Sequence, residues 1–320
     1  LPLPAMSRVA IIGGSGFLGR ALCRELLRHH HDVISISRDL PHPLQPGIEY
    51  IDCGYDQFSA LGDIYQRCDA IVHLAWDTTP ALSLGTPSVE VSANLLPLAR
   101  FLEALTPQFA GQLLFVSSGG AVYGDGAVFA AAGHQALEET AALQPVSYYG
   151  AAKGAAELFL DAFQHQSGTP ITVLRPSNIY GPGQTIKRFF AVVPTLFEAI
   201  RQQQVFRVIG DGSAARDYLF IDDFSQLVAR IVAGPGASGR VQRLNACAGQ
   251  SVTLKELIHT AEDVSGLQAL LEFVPTRDSD VSAVRLSPAA AEDAYGWRAE
   301  TTLREGLAKT WQWMERRGAS

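Results

Sequence analysis

A tyrosine and a lysine, Tyr149 and Lys153, stand four residues apart in the segment 147–153. If this segment is helical, both side chains lie on the same face. A nearby ammonium group favours the phenolate and lowers the pKa of a tyrosine from its usual value of about 10. Such a phenol can accept a proton near neutral pH, which a free tyrosine cannot do. The spacing also occurs by chance, so the prediction of acid–base chemistry depends on two segments upstream.

The first upstream segment is rich in glycine and follows a short apolar run. Arg8–Ile12 has the continuous apolar character of a parallel strand that is covered on both faces. Glycines between such a strand and a helix allow a tight turn and bring a pyrophosphate close to the helix N-terminus. A glycine-rich turn without a ligand is the alternative. The residues predicted to bind a dinucleotide here are Gly13, Gly16, Phe17, Leu18 and Gly19.

The residues after the second predicted strand bear on the choice between NAD and NADP. A dinucleotide fold usually carries an Asp or Glu there, which binds the ribose hydroxyls of NAD. This chain has Ser37 and Arg38 instead, and a hydroxyl followed by a guanidinium suits a 2′-phosphate. The predicted cofactor is therefore NAD or NADP, with a preference for NADP, unless Arg38 only stacks on the adenine or faces solvent. Asp52 is placed to meet the adenine edge or to cap a turn, and Leu74 and Ala75 are further predicted cofactor contacts.

Strand and helix patterns alternate along the first half of the chain. Apolar runs predict strands at 48–51, 70–74, 113–117 and 171–174, and helical patterns occur at 91–104 and 149–166. This alternation is typical of an α/β fold with a Rossmann-type doubly wound parallel sheet. We expect a dinucleotide-binding domain over residues 6–176 and a smaller C-terminal α/β substrate domain over 177–320. Part of the later chain is expected to return to the sheet.

Composition and charge disfavour several classes of partner. A net charge of −7 gives no basic surface, so we expect no nucleic-acid partner. No apolar run approaches the ~18 residues of a membrane helix, so we expect no membrane partner. Adjacent histidines at 29–31 point in different directions on a helix end, and no metal site is predicted. Four scattered cysteines favour reduced thiols and a cytoplasmic protein, and His73 is expected to be a packed core residue.

The second upstream segment lies at the end of the predicted strand 113–117 and begins with Ser117 and Ser118. Ligands of doubly wound sheets bind beyond the carboxyl ends of the strands, so these hydroxyls face the cofactor crevice. The glycine turn, the serine strand end and the helix with tyrosine and lysine occur in this order. In this arrangement the chain resembles the extended short-chain dehydrogenase/reductase family, specifically its NAD(P)-dependent nucleotide-sugar epimerases and dehydratases of the UDP-glucose 4-epimerase type. The resemblance covers residues 8–313.

The resemblance implies roles for the residues of the predicted active site. Tyr149 would be the acid/base, and Lys153 would hold the nicotinamide ribose and tune Tyr149. A strand-end hydroxyl would hydrogen-bond to the sugar, and we assign this role to Ser118, with Ser117 as the second choice.

One subfamily fits poorly. The sugar-nucleotide dehydratases place an Asp-Glu pair just before the tyrosine-glycine pair that corresponds to residues 123–124. This chain has Gly120 and Ala121 in those places, and neither side chain can transfer a proton. Dehydration is therefore not expected.

Segments of the second half resemble the substrate-binding positions of the family. The resemblance implies that Asn178 contacts the substrate diphosphate and that the strand around Val208 pairs its backbone with the nucleobase. Arg216 and Arg277 would bind the diphosphate, which suits a planar and permanently charged guanidinium. Seven residues beyond Arg277, members specific for UDP-glucose carry a tyrosine. This chain has Val284 there, which would leave room for a 2-acetamido sugar.

These residues predict a nucleotide-sugar 4-epimerase that acts on a UDP-hexose or a UDP-N-acetylhexosamine. Tyr149 would take the proton of the 4-hydroxyl and return it, while hydride passes to the nicotinamide and back through a 4-keto sugar. An alternative enzyme reduces a 4-keto nucleotide sugar with NADPH, and a non-catalytic dinucleotide-binding sensor is a third, weaker interpretation. The resemblance also implies a homodimer formed through helices 91–104 and 149–166.

Overall fold

The computed structural model describes residues 6–54, 57, 60–105, 109–126, 136–186, 191–237, 239–276 and 283–318. The strands are β1 (Arg8–Ile12), β2 (Asp32–Ser37), β3 (Ile48–Asp52), β4 (Ala70–His73), β5 (Gln112–Val116), β6 (Ile171–Pro176), β7 (Asn178–Tyr180), β8 (Val205–Ile209), β9 (Ala215–Arg216), β10 (Tyr218–Phe220), β11 (Gln242–Ala246), β12 (Val252–Thr253) and β13 (Leu270–Val274). The helices are α1 (Phe17–Arg28), α2 (Gly62–Tyr65), α3 (Pro87–Glu90), α4 (Leu96–Leu105), α5 (Gly119–Val122), α6 (Tyr148–Ser167), α7 (Val192–Gln202), α8 (Ile221–Ala233), α9 (Leu254–Ser265), α10 (Ala289–Tyr295) and α11 (Leu303–Gly318). A π-helical turn, Val91–Leu95, joins α3 to α4.

Seven parallel strands form the central sheet in the order β11-β6-β5-β4-β1-β2-β3. The order of β1 to β6 is that of a doubly wound dinucleotide-binding sheet, so the predicted fold is confirmed. Its topological switch point lies between β1 and β4, whose carboxyl ends lie at one edge of the sheet beside that of β5. Strand β11 comes from the second half of the chain and completes the sheet beyond β6.

Helices cover both faces of this sheet, which explains the continuous apolar run of β1. Val9 and Ile11 belong to an apolar cluster that includes Leu22 of α1 and Phe224 of α8. The alternate residues, Ala10 and Ile12, belong to a second cluster that includes Phe101 of α4 and Leu160 of α6. Successive side chains of a strand point to opposite faces, so both sets must be apolar.

His73 ends β4 and is fully packed, as the sequence predicted. Its ring centre lies 5.2 Å from that of Phe101 and 5.6 Å from that of Phe115. Burial lowers the pKa of His73 to about 3, and the positive charge of Lys153 acts in the same direction. The imidazole is therefore neutral at physiological pH.

The second half of the chain adds three small two-stranded sheets. Strands β8 and β13 pair in parallel, as do β7 and β10, whereas β9 and β12 are antiparallel. Phe206 and Val208 of β8 are buried in the apolar cluster that also contains Val9 of the central sheet. The small sheets are therefore packed onto one face of the central sheet through a continuous core.

Two classes of feature are absent from the described part of the chain. None of its helices combines the length and the apolar character needed to cross a bilayer. Its His, Cys, Asp and Glu side chains form no group of three or more that could hold a metal ion.

Candidate active site

Helix α6 carries both Tyr149 and Lys153 in its first two turns. The helix begins at the N-cap Ser147, whose Oγ accepts a hydrogen bond of 3.1 Å from the backbone N–H of Gly150. This cap fixes the start of the helix and hence the direction of both side chains. Lys153 is buried, and its Nζ donates a 2.8 Å hydrogen bond to the carbonyl of Val116 at the end of β5.

The ammonium of Lys153 lies against aromatic rings rather than directly on the phenol oxygen. Its Nζ is 3.8 Å from the centre of the Trp76 ring and 5.9 Å from the centre of the Tyr149 ring. Burial lowers the pKa of Lys153 to about 7, while the carboxylates of Glu90 and Glu157 raise it. The pKa of Lys153 is thus close to physiological pH, where the lysine can lose its charge.

The lowering of the Tyr149 pKa by Lys153 stays a prediction, because burial has the larger effect on this phenol in the structure. Burial raises the pKa of Tyr149 to about 12; a hydrogen bond with the Ser118 side chain lowers it, and the charge of Glu90 raises it. The Nζ of Lys153 is directed to the Val116 carbonyl and the Trp76 ring. Ser118 is the side chain that hydrogen-bonds to the phenol.

Ser118 and Ser117 have different surroundings, although they are neighbours at the end of β5. Ser118 is the N-cap residue of α5, is partly exposed and contacts Tyr149. Ser117 is buried, and its Oγ donates a 2.6 Å hydrogen bond to Oε1 of Glu157. Successive residues of extended chain point in opposite directions, so only one of the two serines can face the site. The choice of Ser117 as a substrate-binding residue is therefore wrong.

Ser117 belongs to a buried charged network that the sequence interpretation missed. Arg175 of β6 donates to Oε2 of Glu157 at 2.6 Å and to the hydroxyl of Tyr123 at 2.7 Å. Arg243 of β11 also donates to Oε2 of Glu157, at 3.2 Å. A buried carboxylate requires such partners. The available signals were an arginine in an otherwise apolar strand and a glutamate four residues after Lys153 on the same helix face.

The glycine turn has the shape that a pyrophosphate requires. Gly13 has a φ of +89°, and a Cβ added to Gly19 would lie 2.3 Å from the Gly13 carbonyl oxygen. Helix α1 therefore packs directly on the turn, and a side chain at Gly19 would separate them, whereas a side chain at Gly13 would meet Ala75. Gly16 is the N-cap of α1, and no side chain caps that end of the helix. The backbone N–H groups of the first turn are therefore available to an anion, and the turn fits a dinucleotide.

Other predicted cofactor residues surround this turn. The backbone N–H groups of Leu74 and Ala75 both donate to the carbonyl of Ile12, at 2.9 and 3.1 Å. This places the end of β4 directly against Gly13. Phe17 and Leu18, in the first turn of α1, are partly buried and pack against the neighbouring apolar cluster.

The residues predicted to read the adenosine ribose are engaged with the protein itself. Ser37 is buried; its Oγ donates to the carbonyl of Ile36 at 2.7 Å and accepts from the Ser15 N–H at 3.0 Å. Arg38 is exposed and forms a two-pronged ion pair with Asp77, with N–O distances of 2.9 and 3.1 Å. The carboxylate of Asp77 offsets the positive charge of Arg38, which a 2′-phosphate would need as its partner. Asp52 is exposed and lies beside Ser37 in the pairing of β2 and β3.

Asn178, a predicted substrate residue, lies close to the helix that begins after Ser118. A Cβ at Gly120 would lie 3.8 Å from Oδ1 of Asn178, which places this amide beside α5. Arg216 of β9 is partly exposed and donates to the carbonyl of Ala215 at 2.8 Å.

Two other predicted substrate residues have buried side chains. Val208 faces the core from β8. Val284 is only 2% exposed and packs in an apolar cluster with Val122 and Leu286, which leaves its side chain little surface for a sugar. Arg277 lies outside the described residues.

The structure therefore brings Ser118, Tyr149 and Lys153 together at the carboxyl end of β5, close to the glycine turn after β1. Sequence interpretation missed Trp76, which contacts Lys153, and Glu90, which acts on both Tyr149 and Lys153. A tryptophan shortly after a strand and a glutamate at the start of a helical pattern were the available signals.

Comparison with known proteins identifies the class. The model of the NAD dependent epimerase/dehydratase family matches residues 9–247. The chain belongs to this family, and the predicted family resemblance is confirmed.

Individual relatives include epimerases and reductases. The chain is 28% identical to a UDP-glucose 4-epimerase of Mycolicibacterium smegmatis, over 95% of this chain and 97% of that one. It is 30% identical to a GDP-6-deoxy-D-mannose reductase of Pseudomonas aeruginosa, over 94% of each chain. Among solved structures, it is similar to the UDP-glucose 4-epimerase of Thermus thermophilus in complex with NAD. That match has a TM-score of 0.86 and 25% identity, over 98% of this chain and 100% of that one.

Proposed function

We propose that this chain is a nucleotide-sugar 4-epimerase that uses a bound nicotinamide dinucleotide. The observation that supports this most is the cluster of Ser118, Tyr149 and Lys153 beside the glycine turn. A hydroxyl, a phenol and an ammonium at that place can hold a sugar hydroxyl and move its proton. Epimerases among the relatives, which match nearly the full length of the chain, support the same assignment.

Each residue of the cluster has a role in this reaction. Tyr149 removes the proton of the 4-hydroxyl and returns it after the 4-keto sugar has turned over. Ser118 hydrogen-bonds to Tyr149 and orients the sugar hydroxyl on it. Lys153 holds the nicotinamide ribose and supplies a positive charge near the phenol. The dinucleotide supplies the hydride acceptor and donor.

The cofactor itself is NAD or NADP. The NAD complex of the Thermus relative supports NAD. Ser37 and Arg38 are the residues that favour NADP, and Arg38 would have to exchange Asp77 for a 2′-phosphate. Because NADP binding would break the ion pair between Arg38 and Asp77, we expect to find NAD bound.

The substrate is a nucleoside diphosphate sugar, with uridine as the nucleoside because UDP-glucose epimerases are among the relatives. Asn178, Arg216 and Arg277 are proposed to contact the diphosphate, and the backbone of β8 around Val208 to meet the base. We propose a UDP-hexose or a UDP-N-acetylhexosamine, and the buried Val284 does not decide between them. We also propose that the chain divides at residue 176 into a dinucleotide-binding domain and a substrate-binding domain.

A direct test is to purify the protein without added cofactor, denature it and identify the released nucleotide by mass spectrometry. The same preparation is incubated with UDP-glucose and with UDP-N-acetylglucosamine, and the 4-epimers are quantified. We expect near-stoichiometric bound NAD and epimer formation without net change in the cofactor. A protein that arrives empty, binds NADPH better than NADH and oxidises it while reducing a 4-keto sugar would instead be a reductase. The P. aeruginosa reductase among the relatives makes this the second candidate function.

The chain is further proposed to act in the cytoplasm as a homodimer. Apolar side chains are exposed on the predicted dimer helices, namely Val91 and Leu96 on one and Leu158 and Phe159 on the other. An apolar surface of this kind marks an interface. Light scattering should give twice the mass of one chain, and replacing Leu158 and Phe159 by glutamate should reduce the measured mass to that of one chain.

The described cysteines are free and buried, in keeping with a reducing compartment.

A further inference from the structure

Glu90 is a buried carboxylate next to the active site that the reaction described above does not use. It ends α3, directly before the π-helical turn, and its side chain is 2% exposed. Oε2 accepts a 2.9 Å hydrogen bond from Nδ2 of Asn94, while Oε1 has no hydrogen-bond partner among the described residues. A buried carboxylate with one unsatisfied oxygen is costly unless a positive charge lies nearby.

Asn94 fixes Glu90 relative to the loop that follows β4. Its Nδ2 also donates to Oγ1 of Thr78 at 3.0 Å, and its Oδ1 accepts from the N–H of Asp77 at 2.8 Å. The same loop carries Trp76, whose ring lies on the ammonium of Lys153. Asn94 lies in the π-helical turn, a rare geometry that occurs frequently at functional sites. The loop, the turn and the carboxylate are therefore held as one unit against α6.

The charges around Lys153 single out Glu90 as its counter-charge. Lys153 is faced by Glu90 from α3, by Glu157 and Tyr149 from α6, and by His73 from β4. Burial lowers the pKa of His73 and raises that of Tyr149, so it disfavours the charged form of each. Glu157 is already neutralised, because two arginines and a serine donate to it. Glu90 forms no such ion pair within the described chain.

We propose that Glu90 is a positioning residue, held by Asn94, that supplies the counter-charge of Lys153 and thereby keeps the lysine in its ammonium form beside Tyr149. The proposal rests on the proposed use of Tyr149 and Lys153, but it does not depend on the sugar or on the direction of the reaction.

The expected pH behaviour follows from the sign of each interaction. The negative charge of Glu90 raises the pKa of Lys153 and also raises the pKa of Tyr149. Replacing Glu90 by the neutral and nearly isosteric glutamine removes both effects. The pKa of Lys153 should therefore fall, and the limb of the pH profile that reports Lys153 should move to lower pH.

Lysine titration tests the charge directly, without substrate. The chain has four lysines, Lys153, Lys187, Lys255 and Lys309, so protein labelled with ¹³C at the lysine ε-carbon gives few NMR signals. The signal lost in K153A identifies Lys153. Its midpoint should lie near pH 7 in the wild type and at lower pH in E90Q, while the other lysines are unchanged. E103Q, which neutralises an exposed glutamate of α4, is the matched control and should leave the Lys153 midpoint in place.

An unchanged Lys153 midpoint in folded E90Q would overturn the proposal. A loss of kcat at every pH, with both limbs of the profile in place, would show a merely structural role and would also overturn it. If E90Q does not fold, N94A serves instead, because it removes the hydrogen bond that holds the Glu90 carboxylate in place. The Lys153 midpoint should fall in N94A too. If the proposed epimerase activity is absent, the titration still decides the role of Glu90.

Discussion

Burial acts on the two central side chains of the site in opposite directions. It raises the pKa of Tyr149 and lowers that of Lys153, because in each case the charged form loses its water. Spacing on a helix therefore brings the two groups together but does not by itself make a base. The hydrogen bond from Ser118 is the interaction in the chain that favours the phenolate.

Replacing Tyr149 by phenylalanine should lower kcat by a factor of about 10² to 10⁴, the usual contribution of a general acid–base group. The ring and its contact with Trp76 remain, so dinucleotide binding and thermal stability should change little. Initial rates of 4-epimer formation and a fluorescence titration with NAD would show this. The control is Y148F, because Tyr148 is the exposed neighbour on the same helix turn. Full turnover in Y149F would contradict the role of the phenol.

At the scale of elements, the glycine turn could be predicted because a strand, glycines and a helix follow one another in the sequence. The structure explains why residue 19 must be a glycine. Its missing side chain lets α1 approach the backbone of Gly13 and Gly14. The position of the helix N-terminus, and hence of any bound pyrophosphate, depends on that approach.

A methyl group at Gly19 should therefore push α1 away from the turn. G19A should destabilise the protein by about 1–3 kcal/mol through overpacking and weaken NAD binding at least about tenfold. Thermal unfolding and calorimetric titration measure the two effects. The control is G154A within α6, where a Cβ would meet only Leu143 at an ordinary 3.5 Å. That change should be neutral or stabilise by up to about 1 kcal/mol. Equal behaviour of the two variants would contradict this explanation of the turn.

The elements that the sequence predicted are those whose signal is local. The apolar run Arg8–Ile12 and the spacing of Tyr149 and Lys153 needed only neighbouring residues. The direction of Ser117, the ion pair of Arg38 with Asp77 and the charge of Glu90 depend on residues 39 to 63 positions away. The periodicity within one segment does not report such contacts. The sequence therefore could not show which of Ser117 and Ser118 faces the site, or that Arg38 is paired with Asp77.

At the scale of the whole molecule, buried charges join the central sheet to the second half of the chain. The Glu157 network connects α6 to β6 and β11. Asp217, between β9 and β10, is tied to the chain just beyond the carboxyl end of β11, because it accepts from the N–H groups of Ala248 and Gly249 at 2.9 and 2.8 Å. It directly follows Arg216, so the proposed diphosphate contact is tied to the carboxyl end of the sheet.

Asp217 should give the folded protein a measurable dependence on pH. Burial raises the pKa of Asp217 from 3.8 to about 6, although hydrogen bonds from the backbone N–H groups of Ala248 and Gly249 lower it. A carboxyl whose pKa is higher in the folded state stabilises the fold fully at low pH and loses this contribution as the pH rises through about 6.

D217N cannot titrate there, so its stability relative to the wild type should increase by about 2 kcal/mol between pH 4 and pH 7. Urea unfolding at both pH values measures the difference, and D39N, at an exposed aspartate, should show none. If D217N and the wild type changed in parallel, Asp217 would already be ionised below pH 4. Its hydrogen bonds would then outweigh its burial, and the link between the two halves would be an anion throughout the physiological range.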